Sequence, residues 1–185
     1  MKPTLSGLTI GSLALSPTFS SSVDEYTAGT TNDADKVTAT ADASLTISIK
    51  LNDETFENGS NATWESGENE LEITVTNSAS EKKVYTVTVT KAPAAVLSGL
   101  TVGALTLDPA FSAEVTEYAV TTENNSNKVT ATAAEGLELE LKLGDTEIEN
   151  ESSPTWEVGD NVITITVTNA IGDGEEYTVT VTKEA

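Results

Sequence analysis

The chain repeats itself once, at a fixed offset. Leu5-Ser6-Gly7-Leu8-Thr9 returns as Leu97-Ser98-Gly99-Leu100-Thr101, and Lys36-Val37-Thr38-Ala39-Thr40-Ala41 returns as residues 128–133. Ile73-Thr74-Val75-Thr76-Asn77 returns as residues 165–169, and Tyr85-Thr86-Val87-Thr88-Val89-Thr90-Lys91 as residues 177–183. The offset is 92 residues each time, without insertion, and about half of the matched positions are identical. That is a duplication, not a chance periodicity. A solenoid unit of roughly 20–50 residues leans on its neighbours, whereas roughly 90 residues suffice for a small core of their own. The expected organisation is therefore two tandem domains, residues 1–91 and 97–185, joined by residues 92–96. The joint, Ala92-Pro93-Ala94-Ala95-Val96, has no Gly or Ser and reads as stiff.

Within each copy the period is two. Thr46-Ile47-Ser48-Ile49-Lys50-Leu51 alternates polar with apolar, and its copy Glu138-Leu139-Glu140-Leu141-Lys142-Leu143 does so more cleanly. A strand with one buried face has this pattern. Ile47, Ile49 and Leu51 are expected inward, as are Leu139, Leu141 and Leu143. Leu71, Ile73 and Val75 form a second buried set, and Tyr85, Val87 and Val89 a third. Thr86, Thr88 and Thr90 fall on the wet side, where a branched polar side chain suits the pleat. Asn58-Gly59 and Asp173-Gly174 read as tight turns. Strands are expected near 8–10, 13–16, 25–31, 36–42, 45–52, 69–77 and 84–91 of the first copy, with no amphipathic helix. The predicted fold class is all-β: two tandem seven-stranded immunoglobulin-like β-sandwiches. On a stiff linker they would form a rod roughly 60–90 Å long.

Composition removes several functions. The chain has 185 residues, with no Cys and no His. Disulfides, thiolate chemistry, His-based triads and ordinary zinc or haem sites are thereby excluded. The formal net charge is −21, which repels phosphate backbones and argues against nucleic acid. No apolar run of about 18 residues exists, so no helical membrane insertion is expected.

Each copy opens and closes on a set of recurring motifs. The opening elements are Leu5-Ser6-Gly7-Leu8-Thr9-Ile10, Leu15-Ser16-Pro17-Thr18-Phe19-Ser20 and Glu25-Tyr26-Thr27. The closing elements are Gly67-Glu68-Asn69-Glu70-Leu71-Glu72-Ile73-Thr74-Val75-Thr76 and Tyr85-Thr86-Val87-Thr88-Val89-Thr90. The second copy carries Leu107-Asp108-Pro109-Ala110-Phe111-Ser112, Glu117-Tyr118 and Gly159-Asp160-Asn161. These motifs resemble the bacterial cadherin-like β-sandwich domain, and such domains occur in bacterial surface proteins and are similar to immunoglobulin-like domains on phage virion proteins. The resemblance implies a non-enzymatic spacer or adhesion module. True cadherins bind calcium through acidic motifs at the domain junction. Here the junction is Lys91-Ala92-Pro93-Ala94-Ala95, with no carboxylate, so calcium is not carried over.

Each conspicuous residue has a structural role open to it as well as a functional one. Trp64 and Trp156, one per copy, could be glycan platforms, but large aromatics dominate small cores and the core reading is favoured. Tyr26, Tyr118, Tyr85 and Tyr177 are read as structural on the same ground. Two catalytic carboxylates would have to face each other at about 5–10 Å across a cleft. Glu138 with Glu140, and Asp53 with Glu57, read instead as solvated surface charge. Asn32-Asp33-Ala34-Asp35 resembles the start of a calcium loop, but its copy Asn124-Asn125-Ser126-Asn127 has lost both carboxylates, so a polar turn is favoured. Asn58-Gly59-Ser60, Asn61-Ala62-Thr63, Asn124-Asn125-Ser126 and Asn150-Glu151-Ser152 match the glycosylation triplet, cheaply in so polar a chain. No catalytic, cofactor or metal residue is assigned, and the ligand-binding residues are left unknown.

The first copy holds 13 acids and 6 Lys, the second 17 acids and 3 Lys, for nets of −7 and −14. This fits a first copy that docks and a second that faces outward, or drift under a solubility constraint. No apolar leader precedes Leu5 and no anchor follows Lys183, while Met1 as the only Met favours a whole reading frame. The expected function is a non-enzymatic phage virion component, a capsid decoration or head fibre, displayed on the virion surface. Its partners would be a capsid or other virion protein and bacterial surface or mucus glycans, with a homo-oligomer possible. The alternative is a binding or spacer module of a bacterial adhesin or cell-wall protein at the cell surface. A glycan-processing enzyme is disfavoured because neither copy has an insertion that could build a cleft.

Overall fold

The structure is a computed structural model describing residues 2–185. Contacts divide the chain into two compact units, Met1–Ala92 and Pro93–Ala185. The first contains β1 (Leu5–Ile10), β2 (Glu25–Thr30), β3 (Ala34–Ala41), β4 (Thr46–Leu51), β5 (Glu54–Phe56), β6 (Asn61–Thr63), β7 (Gly67–Thr76) and β8 (Lys82–Lys91). The second contains β9 (Leu97–Val102), β10 (Glu117–Thr122), β11 (Val129–Ala133), β12 (Glu138–Leu143), β13 (Thr146–Ile148), β14 (Gly159–Thr168) and β15 (Gly174–Lys183). The expected all-β class is borne out: each unit is an immunoglobulin-like sandwich of two sheets.

In the first unit β1-β3-β6 form one sheet and β2-β8-β7-β4-β5 the other. In the second, β11 pairs with β9, and β10-β15-β14-β12-β13 form the larger sheet. Alternation decides which faces meet. Leu71, Ile73, Val75, Tyr85, Val87 and Val89 are all fully buried, as are Ile163, Ile165, Val167, Tyr177, Val179 and Val181. Each such side chain contributes about 1.5–3 kcal/mol relative to exposure. Ile49 and Leu141 are buried at the centre of their strands, while Ile47, Leu51, Leu139 and Leu143 are half-buried against the same cores.

The strand count needs correction in the first unit, which has eight strands, not seven. Residues 13–16 make no strand; only a bridge, Ser16 to Thr27, forms just before Pro17, which has no N–H to continue it. The short strands β5 and β6 are additional to the expected set. At three residues each they are too short to show a period. β6 has only a bridge as its counterpart, Ser126 to Thr155. There Pro154 stands where Ala62 does in the first unit, and its missing N–H removes a ladder donor. The turn expected at Asp173-Gly174 lies earlier: Gly172 takes the positive φ of 90°, and Gly174 already begins β15. Asn58-Gly59 is a turn as expected, with Gly59 at φ 88°.

Near the unit boundary, the Ala92 N–H donates to the Thr30 carbonyl at 2.9 Å, extending the first unit's ladder. Ala95 is buried in the second unit's core. No helix among the described residues is long and apolar enough to cross a membrane.

Candidate functional site

Within each unit the tryptophan and the polar loop ahead of it meet in an internal assembly, built on Trp64 and Asp35 in the first unit and on Trp156 and Asn127 in the second. Trp64 is 3% exposed and Trp156 1%. The Trp64 Nε1–H donates to Asp35 Oδ2 at 2.9 Å, and the Trp156 Nε1–H donates to Asn127 Oδ1 at 3.0 Å. Burying an indole leaves its N–H in need of an acceptor, and this is the one supplied. The same oxygens accept the hydroxyls of Thr30 and Thr122, each at 3.2 Å. The rings are thus consumed by the core and present no platform to a sugar.

The calcium-like loop is consumed in the same way. Asp35 Oδ1 accepts Asn32 Nδ2 at 2.9 Å. Asp33 takes the Lys91 ammonium at 2.7 Å, and that contact holds its carboxyl below the ordinary aspartate value of 3.8. Lys91 also donates to the Trp64 carbonyl, and the Trp64 N–H donates to the Asp33 carbonyl. The second unit repeats the lysine and tryptophan links with carboxamides in place of carboxylates: Lys183 to Asn125 Oδ1 at 2.9 Å, Lys183 to the Trp156 carbonyl, and the Trp156 N–H to the Asn125 carbonyl. Asp35 and Asn127 pack against Gly11 and Gly103. A Cβ on Gly11 would lie 2.7 Å from Asp35 Oδ1, and both glycines have positive φ. Among the described residues no group of three or more acidic side chains is arranged to hold a metal ion.

The tyrosines tie loops to strands. The Tyr26 hydroxyl donates to the carbonyls of Ser20 and Val23, and Tyr118 does the same to Ser112 and Val115. The Tyr85 hydroxyl donates to the Ser21 carbonyl and accepts the Leu5 N–H, so it fastens the start of β1. Tyr177 repeats this with Ala113 and Leu97. Its burial pushes the phenol above its ordinary range. Lys83 sits over the Tyr85 ring, 4.8 Å from its centre, and pairs with Asp24 at 2.7 Å. Hydrogen bonding to Asp24 raises the ammonium's pKa.

The remaining candidates do not converge. Glu140 pairs with Lys142 at 2.8 Å, with Glu138 exposed two residues away on the same strand. Asp53 occupies the β4–β5 turn at φ 69°, and Glu57 lies beyond β5. Two matching grooves are open furrows beside the parallel strand pairs. One of about 560 Å³ lies along Ser16, Pro17, Glu25, Tyr26, Thr86 and Thr88. Its counterpart of about 420 Å³ lies along Asp108, Glu117, Tyr118, Thr178 and Thr180.

Four buried or bridging amides carry structural roles that were not read from the sequence. Asn69, 1% exposed, accepts the Glu65 N–H and donates to the carbonyls of Glu65 and Gly67. Asn161 holds Glu157 and Gly159 identically. Asn58 pairs with both backbone groups of Ala39, and Asn150 with both of Ala131. Two of the four glycosylation-like asparagines are therefore occupied in the sheet. The usable signal was their identity in two copies that differ at about half of their positions.

A family model described as a cadherin-like beta sandwich domain matches residues 5–92 and again 97–184. Among solved structures the chain is similar to an I-band fragment of titin, I67–I69, at 10% identity and a TM-score of 0.38, covering 99% of this chain and 66% of that one. It is similar to fibronectin(III)-like modules of Clostridium thermocellum CbhA at 12% identity and a TM-score of 0.34, covering 96% and 94%. It is also similar to Drosophila N-cadherin EC1-4 at 10% identity and a TM-score of 0.30, covering 88% and 48%. The chain thus spans less than two thirds of the titin fragment and about half of the N-cadherin fragment. No curated protein matches it. Folds of this class are typically non-catalytic structural or adhesion domains, and by matching over nearly its whole length, twice, the chain belongs to the cadherin-like β-sandwich family.

Proposed function

We propose that the protein is a non-enzymatic projecting component of a phage virion, a capsid decoration or head fibre that makes weak, multivalent contacts with bacterial surface or mucus glycans. The observation that carries the non-enzymatic part is the internal use of its conspicuous side chains. Both tryptophans, the four tyrosines and the Asn32–Asp35 loop are engaged in holding the sandwiches together. What remains outside is a polar exterior of Thr and Glu on a chain of net charge −21. Such a surface suits a soluble module whose affinity comes from copy number rather than from one deep site. The virion assignment rests on the family's similarity to domains on phage particles. The family match equally supports a second reading, a binding or spacer module of a bacterial surface adhesin or cell-wall protein.

Copy number separates the two readings. Quantitative mass spectrometry of density-purified particles from a lysate of the producing strain is expected to find tens to hundreds of copies per particle. Its absence from pure particles, with recovery in the cell-envelope fraction, would overturn the virion reading in favour of the surface module.

A further inference from the structure

In each unit the strand that ends the unit lies parallel to the strand that follows the first. β2 pairs with β8 over six residues, Glu25 with Thr86 through Thr30 with Lys91. β10 pairs with β15 in the same way, Glu117 with Thr178 through Thr122 with Lys183. The ladder is closed at both ends in the first unit by Thr86 N–H to the Asp24 carbonyl at 2.8 Å and Ala92 N–H to the Thr30 carbonyl at 2.9 Å. The second unit has Thr178 N–H to Thr116 at 2.7 Å and Glu184 N–H to Thr122 at 2.9 Å.

The chain enters and leaves each unit at opposite ends of this ladder. Leu5 is fastened to Tyr85, at the beginning of the paired part of β8, and the first unit ends just past Lys91, at its other end. Leu97 and Tyr177 repeat the arrangement opposite Lys183. A six-residue ladder is about 20 Å long. Tension between Leu5 and Lys91 therefore runs along the strands and across their hydrogen bonds. It displaces β8 along its axis, straining every rung together instead of opening them one after another.

β1 also lies in the line of tension, but it is paired only with β3 and its register slips between Leu5 and Gly7. It yields first, and the load then passes through residues 11–24 to Glu25 and the parallel pair. β2 is anchored there by Tyr26, whose ring stacks on Phe19 at 5.9 Å and whose hydroxyl holds Ser20 and Val23. Tyr118 and Phe111 repeat this anchor at 6.0 Å. We propose that the β2–β8 and β10–β15 pairs are shear clamps, so that each unit bears tension applied through its chain ends. The clamp is a property of strand order and holds whether the protein sits on a particle or on a cell envelope.

The test is single-molecule force spectroscopy on the full chain, in which the absence of Cys allows handles at introduced cysteines. With handles at Thr4→Cys and Ala185→Cys, two unfolding events are expected, each releasing on the order of 200 Å as the residues behind a clamp extend. With handles at Ser22→Cys and Val84→Cys, both at the Tyr85 end, β2 peels from β8 one rung at a time. The rupture force of the first unit is then expected to fall severalfold. Equal forces in the two geometries would overturn the clamp. Thr86 donates to Asp24 and Ala92 to Thr30, so the parallel alternation turns the Ala28 N–H toward β8. Ala28→Pro removes that rung and should abolish one high-force event while leaving the second unit's event intact. Two unchanged events would contradict the proposal. The handle comparison leaves every paired residue of the clamp, 25–30 and 86–91, unsubstituted, so it decides even if Ala28→Pro prevents the first unit from folding.

Discussion

The Trp–Asp35 and Trp–Asn127 pairs are a substitution experiment already present in the chain. The same indole is accepted by a carboxylate in one unit and by a carboxamide in the other, at 2.9 and 3.0 Å. Asp35→Asn is therefore expected to fold and to keep its buried indole hydrogen bond, visible as a Trp64 indole proton that stays protected from solvent exchange. Asp35→Ala leaves the indole N–H without a partner and should cost about 1–3 kcal/mol in denaturant unfolding of the first unit. Asn69→Ala should cost a similar amount, about 1–3 kcal/mol, because the Glu65 N–H and the Glu65 and Gly67 carbonyls lose their side-chain partner together. That the tryptophans are core was legible from their register in both copies. Their acceptors were not, because Asp35 and Asn127 sit in a segment whose composition reads equally as a turn or a cation loop. Only the fold, which brings Thr30, residue 35 and Trp64 together, distinguishes the two.

At the scale of the strand, burial is graded by position in the sheet. Ile73 and Ile165 are fully buried on central strands, so truncating either to Ala should cost about 2–5 kcal/mol. Thr88→Ala on the wet face of β8 should change stability by no more than about 0.5 kcal/mol. Chemical denaturation of the three variants checks both statements. The long strands were readable because ten residues of alternation in β7, β8, β14 and β15 leave no other periodicity to fit. β5 and β6 were not readable, since three residues cannot display a period, and β6 in addition depends on a partner, β3, far back along the chain. Residues 13–16 show the opposite error. Leu13 and Leu15 alternate like a strand and do pack on the core, yet beyond the Ser16–Thr27 bridge the segment belongs to neither sheet.

At the scale of the molecule, the two units differ most in how their lysines are used. The first unit pairs Lys91 with Asp33 and Lys83 with Asp24, whereas the second has Asn125 and Thr116 at the matching positions. Asp33 lies below its ordinary value because Lys91 hydrogen-bonds its charged form. A depressed carboxyl stabilises the folded state above its unfolded pKa, near 3.8, and loses that contribution as the pH falls through the lower folded value. The first unit should therefore lose more stability than the second below about pH 4. Asp33→Asn should narrow the gap, as read by the separate melting of the two units. Asp33 is exposed, so added salt should shrink the effect.

The role proposed for this duplicated sandwich is that of a displayed, non-catalytic module on a phage particle. Gold-labelled antibody electron microscopy of a lysing culture of the producing strain tests it most directly. Label is expected on phage heads, with its position separating decoration from fibre. Label on cell envelopes beside bare particles would contradict it.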